Sequence, residues 1–305
     1  MKNRKTYHTC VAVIAVWLIA ILPVLSAAAA DRIIAGDSPV LEKIIADGVI
    51  RVGVNPLFKP FSFTNEKKER VGIDIDIANL LAAGLGVKLE IVVPNTFVDL
   101  FPLAQNGEID VIIAAMSRIF QRAQWVDFTN SYYNTGISIM LNKAKGSGLG
   151  ISQVKSYDEL RDKLQKAGKK DQLIIAATTG KGAIKSVPTF FPKAKVKEYP
   201  TNEKSAEAVA KGEAHIMVHD EIFLAMWVKD NPDKALYRMA VFRKPYKPDT
   251  YGFGVAKGNQ SFLNLLNTFI YDQLHAQGYF KQFMEKYMTP PPPEGNFYDV
   301  GESEL

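Results

Sequence analysis

The stretch Val49-Ile50-Arg51-Val52-Gly53-Val54 decides the fold class, because it opens a regular alternation of strands and helices. Its apolar, β-branched residues alternate in the manner of a strand. Residues 73–85 then carry apolar side chains at helical spacing and stop at Gly86. Residues 89–93 read as a second strand, residues 97–105 as a helix ending near Gly107, and residues 110–114 as a third strand. Strand, helix and strand at this rhythm predict a parallel sheet with right-handed crossovers.

Downstream the rhythm repeats. Residues 136–141 read as a strand, and the Gly/Lys/Ser-rich residues 142–152 as a loop. Ser156-Tyr157-Asp158-Glu159 is a capping box that opens a helix running to about Ala167. Strands are expected at residues 173–177, 195–199 and 215–218, with a short helix at 206–211. That makes a second unit of similar size. Residues 251–255 return to strand, residues 261–277 to a strongly amphipathic helix, and residues 280–287 to a last helix after Gly278. Pro290 to Pro293 stop regular structure before an acidic tail.

The chain has 305 residues, 47% hydrophobic and 23% charged, enough for about two domains. Residues 1–30 read as a secretory signal: Lys2, Arg4 and Lys5, an apolar run from Val11 to Leu25, then small residues 26–30 before Asp31. An uncleaved anchor is the alternative; Pro23 and the alanine-rich exit favour cleavage. Cleavage lowers the net charge from +5 to +2, which removes the electrostatic argument for nucleic acid. It also removes Cys10, the single cysteine, and with it any disulfide or thiolate metal site.

No metal-ligand spacing, Walker loop, dinucleotide turn or G-x-S-x-G elbow is present, and His8, His215, His219 and His275 lack zinc spacing. No metal, cofactor or catalytic residue is expected. The chemistry is sought in single charges at the ends of strands, where open α/β sheets bind ligands. Arg122 follows the strand at 111–115, and Asp220 follows the strand at 215–218 and opens a helix. They belong to different halves of the chain. A guanidinium grips a carboxylate with paired hydrogen bonds, an aspartate accepts from an ammonium, and a zwitterion satisfies both at once. The plainer readings are a surface ion pair for Arg122 and an N-cap for Asp220.

Four segments in order carry a family resemblance: Val71-Gly72-Ile73-Asp74-Ile75-Asp76-Ile77-Ala78; Ala115-Met116-Ser117 through Gln121-Arg122 to Val126-Asp127-Phe128-Thr129 and Tyr132-Tyr133; Ala210-Lys211-Gly212-Glu213-Ala214 to His219-Asp220; and Tyr251-Gly252-Phe253-Gly254-Val255-Ala256-Lys257-Gly258. Over residues 41–288 the chain resembles the family 3 extracellular solute-binding proteins, the polar amino-acid receptors of ABC importers. The resemblance implies an α/β, two-lobed periplasmic-binding-protein type II fold. Each lobe is a mostly parallel sheet flanked by helices, and a two-crossover hinge joins the lobes. Lobe 1 is expected at residues 31–139 and 245–290, lobe 2 at 140–244, and a tail at 291–305.

The same resemblance gives Arg122 the ligand's α-carboxylate and Asp220 its α-amino group. Ser117 matches a hydrogen-bonding position or is a turn serine. Phe58 and Phe97 match ligand-wall positions or are core residues. His219 lines the side-chain end or is a satisfied strand histidine. In Thr178-Thr179-Gly180-Lys181-Gly182 the family has threonine where Lys181 stands. Gly180 fits a turn into a helix whose amides receive a carboxylate. Lys181 adds a cation for an acidic side chain or is solvated. Asp74 and Asp76 are expected to be structural, at a helix start, and Arg118 to face solvent. The implied function is a monomeric periplasmic receptor that passes an amino acid or related small acid to a membrane permease. A cyclohexadienyl dehydratase-like enzyme and a tethered sensor domain are the alternatives.

Overall fold

The computed structural model describes residues 36–288. The expected signal segment with His8 and Cys10, and the Pro-rich tail, lie outside the described residues. The eleven strands are β1 (Val49–Gly53), β2 (Phe63–Thr64), β3 (Arg70–Val71), β4 (Lys88–Val92), β5 (Val111–Ser117), β6 (Val126–Asn142), β7 (Ile174–Thr178), β8 (Lys195–Tyr199), β9 (Ile216–Asp220), β10 (Met239–Val241) and β11 (Lys247–Ala256) among the described residues.

The expected crossovers are present. β1 pairs in parallel with β4 and with β5, and β7 pairs in parallel with β8 and with β9. Strand β5 is buried along its whole length, as a strand covered on both faces must be. The helix Ile73–Leu85 connects the first unit, and Asn202–Ala210 lies between β8 and β9. Strand order is β4-β1-β5-β11-β6-β9-β7-β8, with β10 on β6 and a separate β2-β3 ribbon.

The two units join through β6, which is 17 residues long. Its first part pairs antiparallel with β11 from Val126 to Ile137, and its last part pairs antiparallel with β9 from Ile137 to Leu141. One strand thus serves both units, and the chain crosses back between β10 and β11. Apolar side chains collect on either side of this crossing. Leu100, Ile112, Ala114, Met116 and Val126 form one cluster. Ile137, Ile139, Leu141, Ile175, Ile216 and Val218 belong to another. This is the two-lobed α/β architecture that the strand–helix rhythm and the resemblance imply.

Three local differences from the sequence reading have physical causes. Residues 142–152 are not all loop: Asn142 accepts from the Lys145 amide at 2.9 Å and caps a short helix, Lys143–Ser147. The strand expected at 136–141 starts at Val126, because β11 supplies partners for its polar first half. The helix expected at 261–277 is α-helical over Gln260–Phe269 and widens into a π-helical segment, Ile270–Ala276.

Candidate functional site

Arg122 owes its place to the end of β5. The chain leaves the sheet at Ser117, exposes Arg118, and enters a short helix, Phe120–Ala123, that turns Arg122 inward. The side chain is buried, with only 7% of the residue exposed. Nη1 donates to the Ser117 carbonyl at 3.1 Å and Nη2 to the Gly180 carbonyl at 3.2 Å. The guanidinium carbon sits 4.7 Å from the Phe97 ring centroid. Burial lowers its pKa to about 10 against the attraction of Asp249 and Asp220, so it stays charged at neutral pH. The surface ion-pair reading therefore fails. The fork keeps further N–H donors for a carboxylate beyond its two backbone bonds.

The facing wall comes from the turn after β7. The Thr179 amide donates to the Tyr199 carbonyl at 3.0 Å, and Gly180 takes a left-handed φ of 76°. This reversal carries Lys181 toward the opposite unit. Its ammonium donates to Asn55 Oδ1 at 3.4 Å and lies 4.6 Å from the Phe97 centroid and 5.5 Å from that of Phe58. Burial first, and the Arg122 charge second, lower the Lys181 pKa to about 7. Lys181 is therefore no solvated surface lysine. The expected helix start after Gly180 is corrected: Gly182–Ser186 is a 3-10 turn followed by a four-residue helix, Val187–Phe190. The Ser186 hydroxyl donates back to the Ala183 carbonyl at 2.6 Å, which favours the tighter turn.

Asp220 ends β9 and stands at the N-cap position of the helix Glu221–Asp230, yet its side chain caps nothing. The buried carboxylate has the Tyr251 hydroxyl as its neighbouring donor, and Oδ2 lies 3.4 Å from His219 Nδ1. Burial, with repulsion from Asp249, raises the Asp220 pKa to about 7. A carboxylate has more acceptor sites than one hydroxyl fills, so a further donor stabilises it when buried. His219 is held by Asn202, with Nε2 to Oδ1 at 3.0 Å, and packs edge-on to Phe58 at 5.6 Å. Burial lowers its pKa to about 3, which keeps the ring neutral.

All eight expected site residues come together. Phe58 and Phe97 meet Lys181; Phe97, Ser117 and Gly180 meet Arg122; His219 joins Phe58 to Asp220. Phe58 and Phe97 are only 2% and 7% exposed, so both are packed in the interior while each ring faces Lys181. Asp74 and Asp76 lie elsewhere. Tyr132 donates to the fully buried Asp74 at 2.8 Å, and Lys286 pairs with Asp76 at 2.7 Å.

The sequence reading missed Asp249, Glu221 and Asn55. Asp249 bonds to the Ser117 side chain, and burial raises its pKa. Asp249 shares its alternation in β11 with the buried Tyr251, Phe253 and Val255, a signal that a period-two reading would have caught. Glu221 accepts from Thr135 at 3.3 Å, and burial raises its pKa to about 8. Asn55 donates to the Ala114 carbonyl at 3.4 Å and receives Lys181. Its role comes from a loop after β1 and had no local signal.

No group of metal-ligating side chains occurs among the described residues, and no helix among them is long and apolar enough to cross a membrane. The histidine-binding protein described as probable in Neisseria gonorrhoeae is 26% identical over 243 residues, covering 79% of this chain and 83% of that one. The L-arginine-binding protein of Pseudomonas aeruginosa is 26% identical over 252 residues, covering 82% and 91%. The crystal structure of an ancestral amino acid-binding protein, a precursor of cyclohexadienyl dehydratase, matches with a TM-score of 0.68 and 28% identity over 82% of this chain and 99% of that one. The model of the bacterial extracellular solute-binding proteins, family 3, matches residues 50–290, so the chain belongs to that family.

Proposed function

We propose that the chain is an extracytoplasmic receptor that clamps an amino acid between two closing lobes and presents it to the permease of an ABC importer. Residues 31–139 with 245–290 form one lobe and residues 140–244 the other. The observation that carries this reading is that two buried groups of opposite sign from different units, Arg122 and Asp220, lie near enough for Asp220 to act on the Arg122 charge without an ion pair between them. One has unused donors, and the other is a carboxylate with acceptor sites beyond the one the Tyr251 hydroxyl fills. An α-carboxylate and an α-ammonium satisfy both together. The ligand then touches both lobes only when they are closed, and binding drives closure.

Ser117, Gly180, Phe58, Phe97, Lys181 and His219 complete the enclosure. The location is the periplasm, reached through the N-terminal signal segment. The amino-acid-binding names of the relatives support the ligand class. Calorimetry against the twenty amino acids tests it. Arg122→Ala is expected to abolish the binding of whichever binds, because it strands a carboxylate in a buried site, at roughly 2–5 kcal/mol. Unchanged affinity would remove Arg122 from the site. Incubation with prephenate or arogenate tests the enzymatic alternative, for which an aromatic product is the signature.

A further inference from the structure

The amino-acid clamp leaves a cation of the site, Lys181, unassigned. Lys181 stands between two glycines that hold the turn against the opposite wall. A Cβ at Gly182 would lie 2.7 Å from Ser117 Oγ, and one at Gly180 would lie 3.1 Å from Val98 Cγ1. Of these three residues only Lys181 sends a side chain into the cleft, and it is a cation. Its ammonium faces Phe58 and Phe97, while the Arg122 guanidinium faces Phe97 as well. Aromatic faces attract cations, so this pair of rings is the natural seat for a cationic ligand side chain. The chain's own ammonium already holds that seat.

We infer that Lys181 sets the ligand class: it occupies the aromatic slot, bars lysine- and arginine-like side chains, and favours an amino acid with an acidic side chain, glutamate or aspartate. The inference rests on the clamp reading of Arg122 and Asp220. A cationic ligand would have to expel Lys181 or share the slot with two like charges, each of which disfavours it. A side-chain carboxylate meets the opposite situation. The α-carboxylate neutralises Arg122, and the second carboxylate reaches the ammonium. The groups that act on Lys181 are Arg122, which repels it, and Asp220 and Glu203, which attract it. Asp220 turns to the ligand's ammonium in the clamp. Burial and Arg122 hold the Lys181 pKa down near 7, so an added anion beside it stabilises its charged form.

The test is calorimetry on the purified full chain with L-glutamate, L-aspartate, L-glutamine, L-arginine and L-lysine. It is repeated on Lys181→Met, which keeps the packed stem, and on Lys181→Gln; melting curves establish that each variant folds. The native chain is expected to bind glutamate or aspartate at least about 30-fold more tightly than arginine or lysine. Both variants are expected to lose that preference while still binding an amino acid through Arg122. Tighter binding of arginine or lysine by the native chain overturns the assignment to Lys181, as does a preference unchanged in a folded variant. Either result leaves the clamp standing if Arg122→Ala abolishes binding. Absence of binding by all five to the native chain overturns the assignment to Lys181, and the clamp falls with it only if none of the twenty amino acids binds.

Discussion

Asp220 is a buried carboxylate whose near neighbours are the Tyr251 hydroxyl and the neutral His219 ring, with no cation bonded to it among the described residues. Its pKa is raised from 3.8 to about 7, so the folded state holds its proton more tightly than the unfolded chain does. Its contribution to stability is therefore fully present below pH 3.8 and is lost as pH rises through about 7. Asp220→Asn keeps the shape and removes the charge. At pH 8 the variant without added ligand is expected to melt a few degrees higher than the native protein, about 2–4 °C per kcal/mol recovered. The same change should eliminate the amino-acid-induced rise in Tm. A lower Tm without ligand would show that the carboxylate is a structural partner rather than a receptor for an ammonium. Stability given up for a binding group is the expected trade-off at such sites.

At the scale of elements, the turn after β7 and the helix Glu221–Asp230 bring the second unit against the first. Gly182 approaches the buried Ser117 so closely that one methyl group has no room. Gly182→Ala should therefore weaken amino-acid binding by about tenfold, since it holds the two walls apart by a fraction of an ångström. Its melting temperature without ligand should stay native, because the strain arises only where the units meet. Lys59 and Asp230 also bridge the units, at 2.6 Å, but both side chains are about two-fifths exposed. Exposed pairs contribute ~0–1 kcal/mol, so Asp230→Asn should change affinity by less than about fivefold in calorimetry. A loss as large as that of Arg122→Ala would make this pair a true latch.

For the whole molecule, the buried ionisable groups set the response to pH. Asp74 and Asp220 have pKa values raised to about 7 and Glu221 to about 8, each mainly by burial. All three lose stability as pH rises through these values. His219, lowered from 6.5 to about 3, contributes stability that is lost as pH falls through that window. Lys181, lowered from 10.5 to about 7, contributes stability that grows only above pH 7. Three carboxylates outweigh one lysine between pH 6 and 8, so the Tm without ligand should fall across that range. The ligand-induced rise in Tm should grow over the same range, because an ionised Asp220 is what the ammonium needs. Small-angle scattering should show a smaller radius of gyration once the amino acid is added.

The amino-acid sequence determined the architecture, because burial imposes local periods that a linear reading can see. The β-branched run at Val49 and the helical spacing from Ile73 both express a buried face. It also marked Arg122 and Asp220, since one lies in the short helix that follows β5 and the other closes β9. Tertiary structure alone decided what surrounds those charges. The groups that act on the Asp220 carboxyl, Asp249, Tyr251 and Lys181, come from distant segments. Lys181 looked like a solvated lysine until the turn at Gly180 set it against Phe58 and Phe97. Desolvation and Coulomb interactions depend on distances in space, and separation along the chain does not encode them.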